Sequence, residues 1–255
     1  MTRFPPDRQG AAPIYAIGDI HGQHDMLLDA LTRIEADGGT DARVVILGDL
    51  VDRGPDSRAV IDTLLSGIER GRDWIVLRGN HDQMFLDFLE SCQIDSPNIR
   101  SPKVRSSGLG WLHEHMGGAE TLASYGIDPK LRLGALHAAT RAAVPQSHVD
   151  FLRTRPLYHV EDHLLFVHAG IEPELPLDWQ GEDQFLWIRD RFLDHVEPFE
   201  WLVVHGHTAV DLPRHYGNRI NLDSGAGWGR PLTVAAIEGA RAWVLDDAGR
   251  IPLEP

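Results

Sequence analysis

Ile17-Gly18-Asp19-Ile20-His21-Gly22 decides how the rest of the chain is read. An apolar run ends abruptly in an Asp, one spacer and a His, bracketed by glycines. In extended backbone, residues i and i+2 point to the same side, so Asp19 and His21 can offer an oxygen and a nitrogen to one cation. Gly18 and Gly22 remove side chains where the backbone must turn or a ligand come close. Taken singly the pairing is a weak signal, because Asp and His two residues apart arise by chance in most long chains. Its weight depends on whether later strands end the same way.

They do. Ile14 to Ile17 reads as a buried strand, and His24 to Ala36 as a helix with Met26, Leu27, Leu28, Leu31 and Ile34 as its apolar set. Gly38-Gly39 breaks that helix, and Arg43 to Leu47 forms a second strand that stops at Gly48-Asp49. The turn Leu50-Val51-Asp52-Arg53-Gly54-Pro55 leads into a helix from Asp56 or Ser57 to about Arg70. Trp74 to Leu77 is the third strand, and it ends at Arg78-Gly79-Asn80-His81-Asp82. Consecutive β-α-β units set such strand ends on one edge of a parallel sheet, where open α/β sheets bind ligands. Asp19, His21, Asp49 and Asn80 are therefore expected to converge.

From Gln83 to about Arg155 the strand pattern gives way to helical segments around a polar loop, Ser91 to Gly108. This 83–155 stretch reads as a helical insertion that either covers one side of the site or serves as a spacer. Tyr158 to Glu161 and Leu164 to Val167 read as a β-pair ending at His168-Ala169-Gly170. Gln184 to His195 reads as a helix containing Trp187 and Arg189, and Trp201 to Val204 as a strand running into His205-Gly206-His207-Thr208. Arg219 to Gly225, Leu232 to Ile237 and Ala242 to Leu245 read as short strands closing a second sheet. This order suggests an α/β chain of two packed sheets with helices outside.

With 255 residues, 42% of them hydrophobic, the chain can build one domain over 14–255, preceded by a flexible leader over 1–13. A formal charge of -14 argues against nucleic-acid and anionic-membrane partners, which are held by clustered Lys and Arg. It leaves room for a small anionic substrate, because metal ions and a few Arg reverse the sign locally. The single cysteine, Cys92, excludes an internal disulfide framework and thiolate-rich zinc sites. No stretch approaches the roughly 18 apolar residues of a spanning helix and the start has no signal-peptide core, so a cytoplasmic location is expected.

The ordered set Gly18-Asp19-Ile20-His21-Gly22, Gly48-Asp49-Leu50-Val51-Asp52-Arg53-Gly54, Gly79-Asn80-His81-Asp82, His168-Ala169-Gly170 and His205-Gly206-His207-Thr208 resembles the phosphoprotein phosphatase family of binuclear metallophosphoesterases. The resemblance runs from residue 14 to about 238 and implies a calcineurin-like fold, a sandwich of two mixed sheets flanked by helices. It implies two divalent metal ions, Mn2+ first, with Fe or Zn2+ as the other candidates. Carried over residue by residue, Asp19 and His21 resemble ligands of the first ion and Asp49 the bridging carboxylate. Asn80, His168 and His207 resemble ligands of the second. His81 resembles the general acid, charged and oriented by Asp52, while Arg53 and Arg189 resemble phosphate-binding arginines. Arg189 rests only on Leu186-Trp187-Ile188-Arg189, and His205 is expected behind the ligands. Trp111, Trp179, Trp187 and Trp228 are expected in the core or at the rim.

The resemblance implies in-line attack on phosphorus by a metal-bridging hydroxide, with a phosphorylated protein or small phosphoester as partner. Asp82 and Ala169 follow the bacterial branch that includes the symmetrical diadenosine tetraphosphate hydrolases, where eukaryotic protein phosphatases more usually carry Glu and Gly. Those hydrolases typically replace the Asp of V-D-R-G by Ala, whereas Asp52 is present here. The sequence thus favours a serine/threonine protein phosphatase, with phosphotyrosine as a further substrate and dinucleoside polyphosphate hydrolysis as the alternative.

Overall fold

The computed structural model describes residues 12–255. Strands β1 (Ile14–Ile17), β2 (Val44–Ile46) and β3 (Trp74–Val76) alternate with helices α1 (His24–Gly38) and α2 (Ser57–Glu69). A helical segment follows: α3 (Asn80–Ser91), α4 (Pro102–Ser107), α5 (Gly118–Ser124), α6 (Leu133–Ala143) and α7 (Gln146–Arg153). Then come β4 (Tyr158–Glu161), β5 (Leu164–Val167), the short helices α8 (Glu182–Trp187) and α9 (Asp190–Leu193), β6 (Leu202–His205), β7 (Arg214–His215) and β8 (Arg219–Asn221). Strands β9 (Val234–Glu238), β10 (Arg241–Asp246) and β11 (Gly249–Pro252) end the chain. The leader expected over 1–13 lies outside the described residues as far as residue 11.

One sheet has the order β11-β10-β9-β1-β2-β3 and the other β4-β5-β6-β8-β7. In each, three strands are parallel: β1, β2 and β3 in the first, β5, β6 and β8 in the second. Both sheets are mixed, since β9 runs antiparallel to β1 and β4 to β5. Ala16, Val45, Leu47 and Leu77 of the first sheet pack against Leu164, Phe166, Val204 and Ile220 of the second. The alternate residues Tyr15, Ile17, Val44 and Ile46 pack on Leu27, Ile34, Val60 and Leu64 of α1 and α2. The central strands are buried on both faces, so they read as unbroken apolar runs and not as alternating ones. Truncating a buried aromatic of the interlayer such as Phe166 to Ala costs about 3–5 kcal/mol.

Two local departures from the expected elements bear on the site. The helix expected from Gln184 to His195 is two helices, because Ile188 leaves helical geometry at ψ 144 and Arg189 sits at φ -136, ψ -99. The break lets Arg189 Nη1 donate to Thr208 Oγ1 at 3.0 Å. Helix α3 begins at Asn80, so Asn80, His81 and Asp82 form its first turn. The Asp82 carboxylate accepts the Gly79 N–H at 2.8 Å, satisfying one of the free donors at the helix start. Among the described residues, no helix is long and apolar enough to cross a membrane.

Candidate active site

Asp19 and His21 follow β1, Asp49 follows β2, Asn80 opens α3, His168 follows β5 and His207 follows β6. All six are at most 8% exposed. Seven non-glycine residues among those described have positive φ, and five of them are His21, Asp49, Asp52, Arg53 and His207. Such backbone costs on the order of 1–3 kcal/mol per residue and persists where the surroundings over-determine it. Two glycines are required by close approach: a Cβ on Gly79 would overlap Asp49 Oδ1, and one on Gly206 would overlap Asp19 Oδ1.

Two groups of metal-type side chains form, one of His21, Asp49 and His81, the other of Asp49, His168 and His207, with ligand atoms within 4.8 Å of one another in each. Asp49 belongs to both, as a carboxylate shared by two ions must. Asn80 Oδ1 joins the second group, 2.9 Å from His168 Nε2 and 2.8 Å from His207 Nδ1. His168 Nδ1–H donates to Leu47 O at 2.9 Å, which leaves the Nε2 lone pair aimed at the Asn80 oxygen. Both atoms are acceptors, and acceptors converging in this way repel unless a cation lies among them. His21 is set up alike: Nδ1–H donates to Val51 O at 2.9 Å, and Nε2 faces Asp49 Oδ2 at 3.4 Å.

The charges favour the same conclusion. Burial pushes Asp49 up to about 7. Asp19 is raised by burial and by the nearby Asp223 and Asp49. Burial lowers His168 to about 4, and holds His21 and His207 well below the usual imidazole range. Carboxylates that resist ionising beside imidazoles that resist protonation form a donor set whose balance calls for metal cations. The oxygens and nitrogens present fit two divalent ions.

Asp19 stands outside both groups, and its two oxygens accept the His207 N–H at 3.2 and 3.0 Å. His21, two residues on, adopts left-handed backbone at φ 49. His205 also lies outside the groups, edge-on to Phe192 with centroids 4.9 Å apart.

His81 Nδ1–H donates to Asp52 Oδ2 at 2.6 Å. Arg53 spans two imidazoles, with Nη1 2.5 Å from His21 Nε2 and Nη2 3.0 Å from His81 Nε2. The expected charge on His81 is corrected here. Burial first, and the Arg53 guanidinium second, hold its pKa well below 6.5, so His81 is neutral with its Nε2 lone pair turned to Arg53. Arg189 approaches the same centre, close enough for Asp49, Asp223 and Asp19 to act on its charge.

Four further residues take part. Trp111 Nε1–H and Thr121 Oγ1–H, both from the helical insertion, donate to the two oxygens of Asp52 at 2.7 and 2.6 Å. Trp228 lies against Arg53, whose guanidinium carbon is 4.4 Å from the ring centroid, and is 52% exposed, a rim position as expected. Asp223 is buried just past β8, where it raises Asp19. Its sequence signal was weak, since the strand before it, Arg219–Asn221, is not an apolar run and ends two residues short of Asp223.

Serine/threonine-protein phosphatase 1 of Salmonella typhimurium is 29% identical over 243 residues, spanning 88% of this chain and 92% of that protein. The asymmetrical bis(5'-nucleosyl)-tetraphosphatase PrpE of Halalkalibacterium halodurans is 27% identical over 242 residues, 86% of this chain and 87% of that one. A cold-active protein-tyrosine phosphatase of a psychrophilic Shewanella superposes with a TM-score of 0.63 at 18% identity, over 96% of this chain and 81% of its own, a likeness of fold. The model of the calcineurin-like phosphoesterase family matches residues 12–237. Two mixed sheets between helices and a ligand set gathered at their strand ends agree with that match, and the chain belongs to the calcineurin-like phosphoesterase family.

Proposed function

We propose that this protein is a two-metal phosphomonoesterase that removes phosphate from phosphoserine and phosphothreonine in proteins, with phosphotyrosine as a further substrate. In this reading Asp19 and His21 hold one ion, Asn80, His168 and His207 the other, and Asp49 both. Mn2+ is the proposed metal, with Fe or Zn2+ as the alternatives. When bound, the ions supply positive charge that attracts a phosphate dianion and acidifies water at neutral pH. Arg53 and Arg189 hold the non-bridging oxygens through paired N–H donors. As Arg53 turns to the phosphate, His81 Nε2 is freed to carry a proton to the leaving oxygen, with Nδ1–H kept on Asp52.

The observation that carries the reading is the intact Asp52–His81 pair at 2.6 Å. A serine or threonine alkoxide is a poor leaving group and needs a proton donor, whereas a nucleotide leaves more easily. A polar cavity of ≈ 180 Å³ is lined by Arg100, Glu172, Asp183 and Trp187, and the Trp187 ring lies 6.1 Å from that of His207. The second reading, dinucleoside tetraphosphate hydrolysis, draws on the name of the Halalkalibacterium relative. Phosphoserine, phosphothreonine and phosphotyrosine peptides assayed side by side with diadenosine tetraphosphate, with Mn2+ supplied, test the choice. Faster turnover of the phosphopeptides supports the first reading, and turnover of the dinucleotide alone overturns it.

A further inference from the structure

The Asp52 carboxylate is fully buried, and the two side-chain hydrogen bonds it accepts besides that of His81 both come from the helical insertion. Thr121 Oγ1 works in both directions: it donates to Asp52 Oδ1 at 2.6 Å and accepts the Asp52 N–H at 2.8 Å. Trp111 Nε1–H donates at 2.7 Å to Oδ2, the oxygen that also takes the His81 proton. Trp111 and Thr121 are themselves fully buried. The indole is wedged against Phe85 and Phe88 of α3, with ring centroids 5.6 and 5.1 Å away, and α3 is the helix that carries His81. Ser57 Oγ, at the start of α2, lies 3.1 Å from Thr121 Oγ1 and 3.1 Å from the Asp52 N–H, closing the network on the other side.

We infer that Trp111 and Thr121 are positioning residues, lent by the insertion, that lock the Asp52 carboxylate onto His81 Nδ1 and thereby set how well this enzyme handles substrates with poor leaving groups. The inference rests on the reading of His81 as the proton donor. In the step concerned the ester P–O bond breaks and water supplies the new oxygen on phosphorus; His81 Nε2, released by Arg53, takes up the proton that the attacking water gives up and passes it to the departing alkoxide, which leaves the ring neutral again. A carboxylate free to rotate in its pocket no longer fixes the imidazole ring, and the Nε2 proton is then delivered off line. An aryl oxide such as p-nitrophenolate leaves without that proton, so the two substrate classes separate the effect from general damage to the site.

The variants are Thr121→Val, which keeps volume and removes the hydroxyl, Trp111→Phe, which removes the indole N–H, and Thr121→Ser, which keeps the hydroxyl. Turnover is measured on an alkyl phosphate (a phosphoserine peptide) and on p-nitrophenyl phosphate, with His81→Asn as reference. Thr121→Val and Trp111→Phe should lower the alkyl-to-aryl ratio by about tenfold or more, a fraction of the full range of a general acid, and Thr121→Ser should restore it. The second readout needs no turnover. In protein carrying nitrogen-15 histidine, the His81 Nδ1–H proton, assigned by its loss in His81→Asn, should resonate far downfield in the wild type and in Thr121→Ser, and move upfield in Thr121→Val and Trp111→Phe. An unchanged ratio and an unmoved resonance in both variants overturn the inference. A ratio unchanged in His81→Asn itself would sink the proton-donor reading instead, and the resonance would then decide on positioning alone.

Discussion

His81 Nδ1 lies 2.6 Å from Asp52 Oδ2, and the other ring nitrogen of His81 points at Arg53 Nη2 from 3.0 Å. One nitrogen is thus tied to a carboxylate that never leaves the interior, and the other is held by a side chain that a phosphate would draw away. That polarity of the ring is what a proton carrier needs. His81→Asn should lower kcat on alkyl phosphates by roughly 10² to 10⁴, the usual range for a lost general acid, with a smaller drop on p-nitrophenyl phosphate. Steady-state kinetics on the two substrates check this. An equal drop on both would assign His81 to binding or to the fold.

Asp82 joins two segments of the site, since its carboxylate accepts the Gly79 N–H at 2.8 Å and the Leu50 N–H at 2.9 Å. It is fully buried, so Asp82→Ala leaves two donors without partners. The expected loss is about 2–6 kcal/mol, taking about 1–3 kcal/mol for each orphaned group. Urea unfolding measures it, and Asp82→Asn should lose less because one oxygen acceptor remains.

Tyr15 O–H donates to Asp37 Oδ2 at 2.6 Å, tying β1 to the end of α1, and Arg250 donates to the same carboxylate oxygen at 2.7 Å. Burial, reinforced by Asp37, pushes the Tyr15 phenol from 10.0 up to about 12. A group whose folded pKa is raised keeps its contribution below the unfolded value and loses it as pH climbs through the folded one. Part of the stability should therefore fall away between pH 10 and about 12. Denaturation at stepped pH should show a shallower alkaline decline for Tyr15→Phe, which has no proton to lose.

Removal of metal should abolish turnover of p-nitrophenyl phosphate and also lower the melting temperature, because an ion that binds only the folded state stabilises it. At a free metal concentration of 100 Kd the gain is about 2.7 kcal/mol per site. Thermal unfolding before and after chelation, then after Mn2+ is restored, checks both halves. An unchanged melting temperature together with full activity after exhaustive chelation would contradict the two-metal reading.

Much of the site was legible because it is local. Gly18-Asp19, Gly48-Asp49 and Gly79-Asn80 each follow an apolar run directly, and parallel topology then has to bring them to one edge. Asp52 and His81 could be paired through the family pattern. Trp111 and Thr121 could not: they reach Asp52 across 59 and 69 residues, and nothing in the spacing of the insertion points to either. The break at Arg189 was hidden for the opposite reason, since Phe185, Leu186 and Phe192 keep helical spacing across it while the backbone turns to reach Thr208. The charge of His81 was misread because the sequence shows its acidic partner and conceals both its burial and the guanidinium lying across it.

The central claim is that Asp49 serves two ions at once, as its membership of both ligand groups indicates. Metal content per chain, measured by elemental analysis of wild type, Asp49→Asn and Asp19→Asn after identical loading with Mn2+ and desalting, tests it most directly. About two ions are expected in the wild type, by the two-ion arrangement of such sites, and a larger loss in Asp49→Asn than in Asp19→Asn. Two fully occupied sites in Asp49→Asn would contradict it.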